Sequence, residues 1–155
     1  MKKAPLTAMK IEVFNNLRNV LEQKISDLQK LIAETKEARD SDSKSSVGDK
    51  YETGRAMAQI EIQKSEILLG KTQSLLNDLS KIDLKKPMDW VAFGSLVYTN
   101  SGNYFISIGI GKVQVNDFTC YAISLASPLG LQLKGKKVGD SFEFNGKPIV
   151  IEKIV

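Results

Sequence analysis

Histidine is absent from this chain, and Cys120 is its only cysteine. Without histidine there is no Ser-His-Asp triad, Cys/His dyad, His/Cys zinc site or histidine general base within the chain. A lone cysteine forms no internal disulfide, and Cys120 reads as a buried thiol. Any chemistry must therefore rest on carboxylates. No apolar run approaches the ~20 residues needed to cross a bilayer. The opening MKKAPLTAMKIEVFNNL lacks the unbroken apolar core of a secretory signal. A cytoplasmic protein with no membrane partner is expected.

Strong charge of one sign is also lacking. The net charge is +4, with 14 Lys and Arg against 13 Asp and Glu up to Leu84, and 8 against 5 after it. So weak an excess, without interleaved aromatics, argues against independent nucleic-acid binding. Hydrophobic residues at 42% and charged residues at 26% are ordinary for a folded chain and too apolar for a disordered one.

Proline and glycine are missing from Thr7 to Arg39, where Ile11, Phe14, Leu21, Ile25, Leu28 and Ile32 recur in steps of three and four. This is a heptad seam. Arg18 falls on one inward position, and Thr7 is the expected N-cap. A second seam runs through Tyr51, Arg55, Ala58, Ile62, Ser65, Leu69, Thr72, Leu76 and Leu79. Its small members would let two helix backbones approach closely, and Gly70 weakens it by about 1 kcal/mol relative to alanine. Between the seams, Asp40 to Asp49 is rich in turn-forming residues, so the chain reverses there. About 30 residues per helix give a hairpin roughly 45 Å long. Coiled-coil spacers and dimerisation elements share this pattern, and the sequence does not choose whether the helices self-associate.

After a linker at Asp83–Met88 the pattern changes to short β-rich segments split by Gly, Asn and Ser. Expected strands are Trp90–Val91, Ser95–Thr99, Asn103–Gly109, Thr119–Ile123, Ser141–Phe144 and Lys147–Ile154. Asn100-Ser101-Gly102 and Asn145-Gly146 supply hairpin turns. Ser127–Leu133 is left to cover the sheet. Gly109-Ile110-Gly111 lacks the setting of a dinucleotide site and reads as a turn. The expected fold is α+β: an antiparallel coiled-coil hairpin over 1–84, with its tip near 40–50, then a small β-rich domain over 89–155.

Taken in order, Val91-Ala-Phe-Gly94-Ser95, Ile123 to Ser127-Pro128, and Leu133-Lys-Gly135-Lys136-Lys137-Val-Gly139-Asp140 resemble the C-terminal domain of bacterial Gre transcript-cleavage factors. The resemblance covers about Trp90 to Val155. It implies an FKBP-like domain without isomerase activity, placed after a helical hairpin that enters the secondary channel of RNA polymerase. Gly48-Asp49-Lys50-Tyr51-Glu52 resembles the tip pattern of that family, with Thr53 and Ala56 standing where the family has asparagine and tyrosine.

The resemblance implies that Asp49 and Glu52 form the acidic pair. Three apart on a first helical turn they share a face. Beside the polymerase's own magnesium they would jointly hold a second Mg²⁺ and orient a water for cleavage of backtracked RNA. The chain would bind no cofactor alone, touch nascent RNA only indirectly, and leave the polymerase as the enzyme. Asp40 and Asp42 are alternative acids. A different register aligns Tyr51 with the family's tyrosine, puts Val47 and Lys44 where acids are expected, and leaves the tip inactive. Such a chain would resemble Rnk-type or anti-cleavage Gre homologues, which occupy the channel without promoting hydrolysis. Ser127, Pro128, Gly135, Lys136 and Lys137 are the candidate polymerase contacts. Outside transcription, a chaperone-like or prolyl-isomerase module is the competing reading, with only Trp90 and a few Phe and Tyr to line a pocket.

Overall fold

A computed structural model describes the backbone of residues 3–41 and 48–155 and the side chains of 6–41 and 52–155. Two long helices, α1 (Lys3–Ser41) and α2 (Gly48–Ser80), precede β1 (Leu96–Thr99), β2 (Gly102–Ile106), β3 (Gly111–Val115), β4 (Phe118–Ile123), α3 (Pro128–Leu133), β5 (Ser141–Phe144) and β6 (Lys147–Ile154). This is the expected α+β order. The chain divides into two units, one formed by residues 19–76 and the other by the chain before residue 19 together with residues 77–155.

In the helical unit α1 and α2 are antiparallel. Lys36 Nζ lies 3.5 Å from Glu66 Oε1, and Arg39 Nη1 donates to Gln59 Oε1 at 2.7 Å. Leu21, Leu28 and Ile32 are buried on α1, and Ile62, Ser65 and Thr72 on α2. These positions lie where the three-four spacing puts them, but two expected seam members do not: Arg55 of the second seam is exposed, and so is Ile11 of the first at 39%. The Thr72 hydroxyl donates to Leu68 O at 2.7 Å, so this polar residue enters the seam with its hydrogen bond made within the helix.

Two further details of α1 differ from expectation. The helix begins at Lys3, so Thr7 lies inside it and is not the N-cap; Pro5 is tolerated because first-turn amides have no intrahelical acceptor. Arg18 is not inward. Leu17 is 1% exposed in its place, while the Arg18 guanidinium sits outside, 6.0 Å from the centre of the Phe14 ring. Near the start of α1 the buried positions Val13, Leu17 and Leu21 step by four, because a straight 3.6-residue helix drifts off a strict heptad.

The sheet unit is built on six strands in the order β3-β4-β2-β1-β6-β5, antiparallel except for the β2–β4 pair. α3 closes one face. Leu133 from α3 packs with Val91, Val97, Ile106 and Ile151, with Leu125, Leu129 and Phe142 around them. Two expected features are corrected. Trp90–Val91 is not a strand: the Val91 N–H donates to Lys136 O and its carbonyl accepts from Gly135 N, both at 2.8 Å, and Trp90 is exposed. β3 was not expected. Its alternating Val113 and Val115 pair with β4 across a two-residue turn in which Asn116 takes φ 53°. β2 also ends at Ile106, short of the expected Gly109.

Lys10 of α1 belongs to this unit and is 1% exposed. Its ammonium donates to the Val155 main-chain oxygen at 3.1 Å, which also accepts from Leu96 N at 3.0 Å. Burial holds the Lys10 pKa below its ordinary value, partly offset by the Asp83 carboxylate.

Candidate functional site

The acidic candidates Asp40, Asp49 and Glu52 stand where α1 ends and α2 begins. Position 49 lies in the first turn of α2 and position 52 one turn on, so the helix puts both on one face. The Asp49 side chain and all of Asp42 lie outside the described residues. Glu52 is exposed and lines a shallow depression of about 320 Å³ with Arg39, Arg55, Ala56 and Gln59.

Asp40 stands at the end of α1 and is engaged by arginines. Its Oδ1 accepts from Arg39 Nε at 3.0 Å and lies 3.8 Å from Arg55 Nη1. The Arg39 hydrogen bond, helped by the Arg39 and Arg55 charges, holds the Asp40 carboxyl below its ordinary range. Arg39 also grips Gln59, twenty residues on, and ties the two helices together here. Spacing along the chain gave no hint of this arginine cluster, because its members meet only when the helices pair. Among the described residues no three of Asp, Glu, Cys and His gather as a metal site.

In the sheet unit, Ser127 and Pro128 start α3. Ser127 Oγ accepts from Gly130 N at 3.0 Å and donates to Ser124 O at 2.7 Å, and Pro128 takes the first helical position, where a missing N–H costs nothing. Gly130, a residue the sequence did not single out, is sterically obligatory. A methyl group there would overlap the Ser124 carbonyl oxygen and come within 2.9 Å of Ser127 Oγ.

Past α3, Gly135 turns the chain at φ 78° and Gly139 at φ 92°. The Asp140 carboxylate accepts from Lys137 N at 2.8 Å inside this turn, and Gly139 N donates to Ile151 O of β6. Lys136 is half-buried with its ammonium 5.4 Å from the Phe142 ring centre, whereas Lys137 is exposed. Of the two candidate lysines, Lys137 is the one open to a partner.

The sheet unit also carries an open cavity of about 470 Å³ walled by Tyr104, Leu129, Phe144 and Ile149, with Lys147 at its edge. Burial, then the neighbouring Tyr121, raises the Tyr104 phenol. No carboxylate lines the cavity, so it offers apolar contact and no general base at neutral pH. Among the described residues no helix is long and apolar enough to cross a membrane.

No protein-family model matches the sequence, and no curated protein matches it. Among solved structures, the chain is similar to one described as the transcription factor Gfh1, with 21% identity over 90% of this chain and 93% of that one, and a TM-score of 0.33.

Proposed function

We propose that this chain is an accessory transcription elongation factor that binds bacterial RNA polymerase and stimulates cleavage of backtracked RNA. One observation carries the reading. Val91–Ser95 and Leu133–Asp140, some forty residues apart and both matching the Gre pattern, are joined by the paired hydrogen bonds of Val91 with Gly135 and Lys136. The two segments are thus held together, with Val91 and Leu133 in the core and the Gly135–Asp140 turn exposed beside them, which supports reading that turn as the docking element.

In this reading the sheet unit contacts the polymerase through Ser127, Pro128, Gly135, Lys136 and Lys137, and the helical hairpin enters the secondary channel. Asp49 and Glu52 add two carboxylates beside the polymerase's magnesium. Their chemistry is to retain a second Mg²⁺ and orient a water at the phosphodiester, and the polymerase remains the enzyme. The chain works in the cytoplasm and meets RNA only through its partner.

A second reading is favoured by the charges around Glu52. Arg39 and Arg55 line the same depression and engage Asp40, so arginine charge competes with a divalent cation for the carboxylates there. The chain would then occupy the channel as a regulator without promoting hydrolysis. The test is a stalled, backtracked elongation complex with cognate polymerase and Mg²⁺, comparing wild type with Asp49→Asn/Glu52→Gln. Shortened RNA with wild type, and unchanged binding without shortening in the variant, supports cleavage. Binding with intact RNA selects the channel-occupying regulator, and no binding rejects both.

A further inference from the structure

Trp90 is the chain's only tryptophan, and it is 54% exposed, one residue before a segment that matches the Gre pattern. Tryptophan carries a large apolar ring and a single N–H donor, and in a folded protein both usually find a partner. Among the described residues Trp90 has no ring partner, no cation over its face and no acceptor for its indole N–H. Its neighbour Val91 is 1% exposed and in the core, so the backbone that presents Trp90 is held while the ring faces water.

The backbone sets the ring beside the Gly135–Asp140 turn. The Val91 N–H donates to Lys136 O at 2.8 Å, which joins the peptide group between Trp90 and Val91 to the one between Lys136 and Lys137. Standard peptide geometry then puts the Trp90 and Lys137 Cα atoms within about 8 Å of each other. Lys137 is exposed, and Val138 next to it is 57% exposed. An aromatic ring, a lysine and a valine from distant parts of the chain therefore stand together on one exposed edge.

The charge around them is positive. The turn and the residue before it carry Lys134, Lys136 and Lys137 against Asp140, whose carboxylate is drawn onto the Lys137 N–H at 2.8 Å. The approach to Trp90 carries Lys85 and Lys86 against Asp89 and Asp83, and Asp83 Oδ1 accepts from Lys85 N at 3.0 Å. Five lysines thus stand against three aspartates, and among the described residues no ion pair holds any of the five.

We infer that Trp90 anchors the docking surface of the sheet unit, and that the partner segment it takes is an acidic one with an apolar side chain to cover the ring. Anchors of protein interfaces are most often Trp, Tyr or Arg at the centre, ringed by residues that keep water out, whereas lysine is depleted at the centre and belongs to the polar rim. Trp90 with Val138 fits the first role, and Lys134 with Lys137 the second. A lone ring offers no run of stacking faces, which argues against single-stranded nucleic acid as the occupant. The inference rests on the polymerase reading: it adds Trp90, Val138 and Lys134 to the contact surface and names the chemistry of the polymerase segment that meets them.

Binding of the full chain to immobilised cognate RNA polymerase over a salt series tests it. Wild type should bind more weakly as salt rises. Trp90→Ala should weaken binding at least about thirtyfold, the size expected of a central anchor, and Trp90→Phe by less. Lys134→Glu/Lys137→Glu should weaken it about tenfold and flatten the salt dependence. Circular dichroism and the unfolding midpoint of each variant should match wild type, because the altered side chains are exposed. If wild type binds and Trp90→Ala or the double lysine variant binds as tightly, the inference is overturned and the polymerase reading stands. If wild type does not bind polymerase at all, the reading fails and the inference with it. Quenching of Trp90 fluorescence by a single-stranded RNA oligonucleotide without polymerase would identify a nucleic-acid site and overturn the inference as well.

Discussion

In the helical unit a methyl group added at Gly70 or Gly54 would meet nothing within 4 Å, whereas at Gly130 in the sheet unit it would overlap the Ser124 carbonyl oxygen. The contrast follows from how each unit buries its residues. A two-helix hairpin hides one stripe per helix and leaves the other faces to solvent, so a glycine there costs backbone entropy and brings no packing gain. The sheet unit folds α3 tightly against the segment before it, and the backbone fills the space a side chain would need. The same substitution therefore has opposite signs in the two units.

The largest expected effect lies in the sheet unit. Gly130→Ala should destabilise it by about 3 kcal/mol, since backbone must shift to relieve the overlap. Denaturant unfolding followed at Trp90 checks this, and an unchanged midpoint would refute the crowding at α3.

Alkaline stability comes next. Burial pushes the Cys120 thiol from 9.0 up to about 11. Above pH 9 the unfolded chain releases a proton that the folded chain keeps, so stability falls between pH 9 and about 11. The full loss is about 2 to 3 kcal/mol. Cys120→Ala should remove that part of the alkaline slope. Tyr98 and Tyr104, also raised by burial, leave a further fall above pH 10.0, and Lys10, lowered by burial, works the other way as pH rises toward 10.5. Fluorescence-monitored unfolding across pH 8 to 11 separates these contributions. At pH 8, Cys120 should also react with a thiol reagent only after unfolding.

In the helical unit the sign reverses. Gly70→Ala should stabilise the hairpin by about 0.5–1 kcal/mol, seen as a later loss of helical ellipticity while the Trp90 signal keeps its midpoint. A shift of both signals together would show that the two units unfold as one. The smallest effect belongs to the Lys36–Glu66 pair. Both partners are about half exposed, so a double-mutant cycle should give no more than about 0.5 kcal/mol.

The candidate site was legible in proportion to how local its geometry is. Ser127–Leu133 was expected to cover the sheet, and the structure makes it a helix with Ser127 as its cap and Pro128 as its first residue. The three-residue spacing of Asp49 and Glu52 likewise puts both on one face of α2. Around Asp40 the decisive groups, Arg39, Arg55 and Gln59, lie up to twenty positions apart, and no local pattern links them. Gly130 was missed because the atom it must avoid belongs to a residue six positions earlier that returns only through the turn before α3.

By itself the sequence determined the two long helices, their seams, the break into a β-rich part and the fate of Cys120, since periodicity, turn chemistry and hydrophobicity act over a few residues. The tertiary structure alone decided that Leu17 turns inward in place of Arg18, that Lys10 is buried against Val155, and that Gly111–Val115 is an edge strand beside β4. Each of these depends on which distant surface lies opposite. A buried side chain is selected by the space its neighbours leave, and that space exists only once the chain has folded.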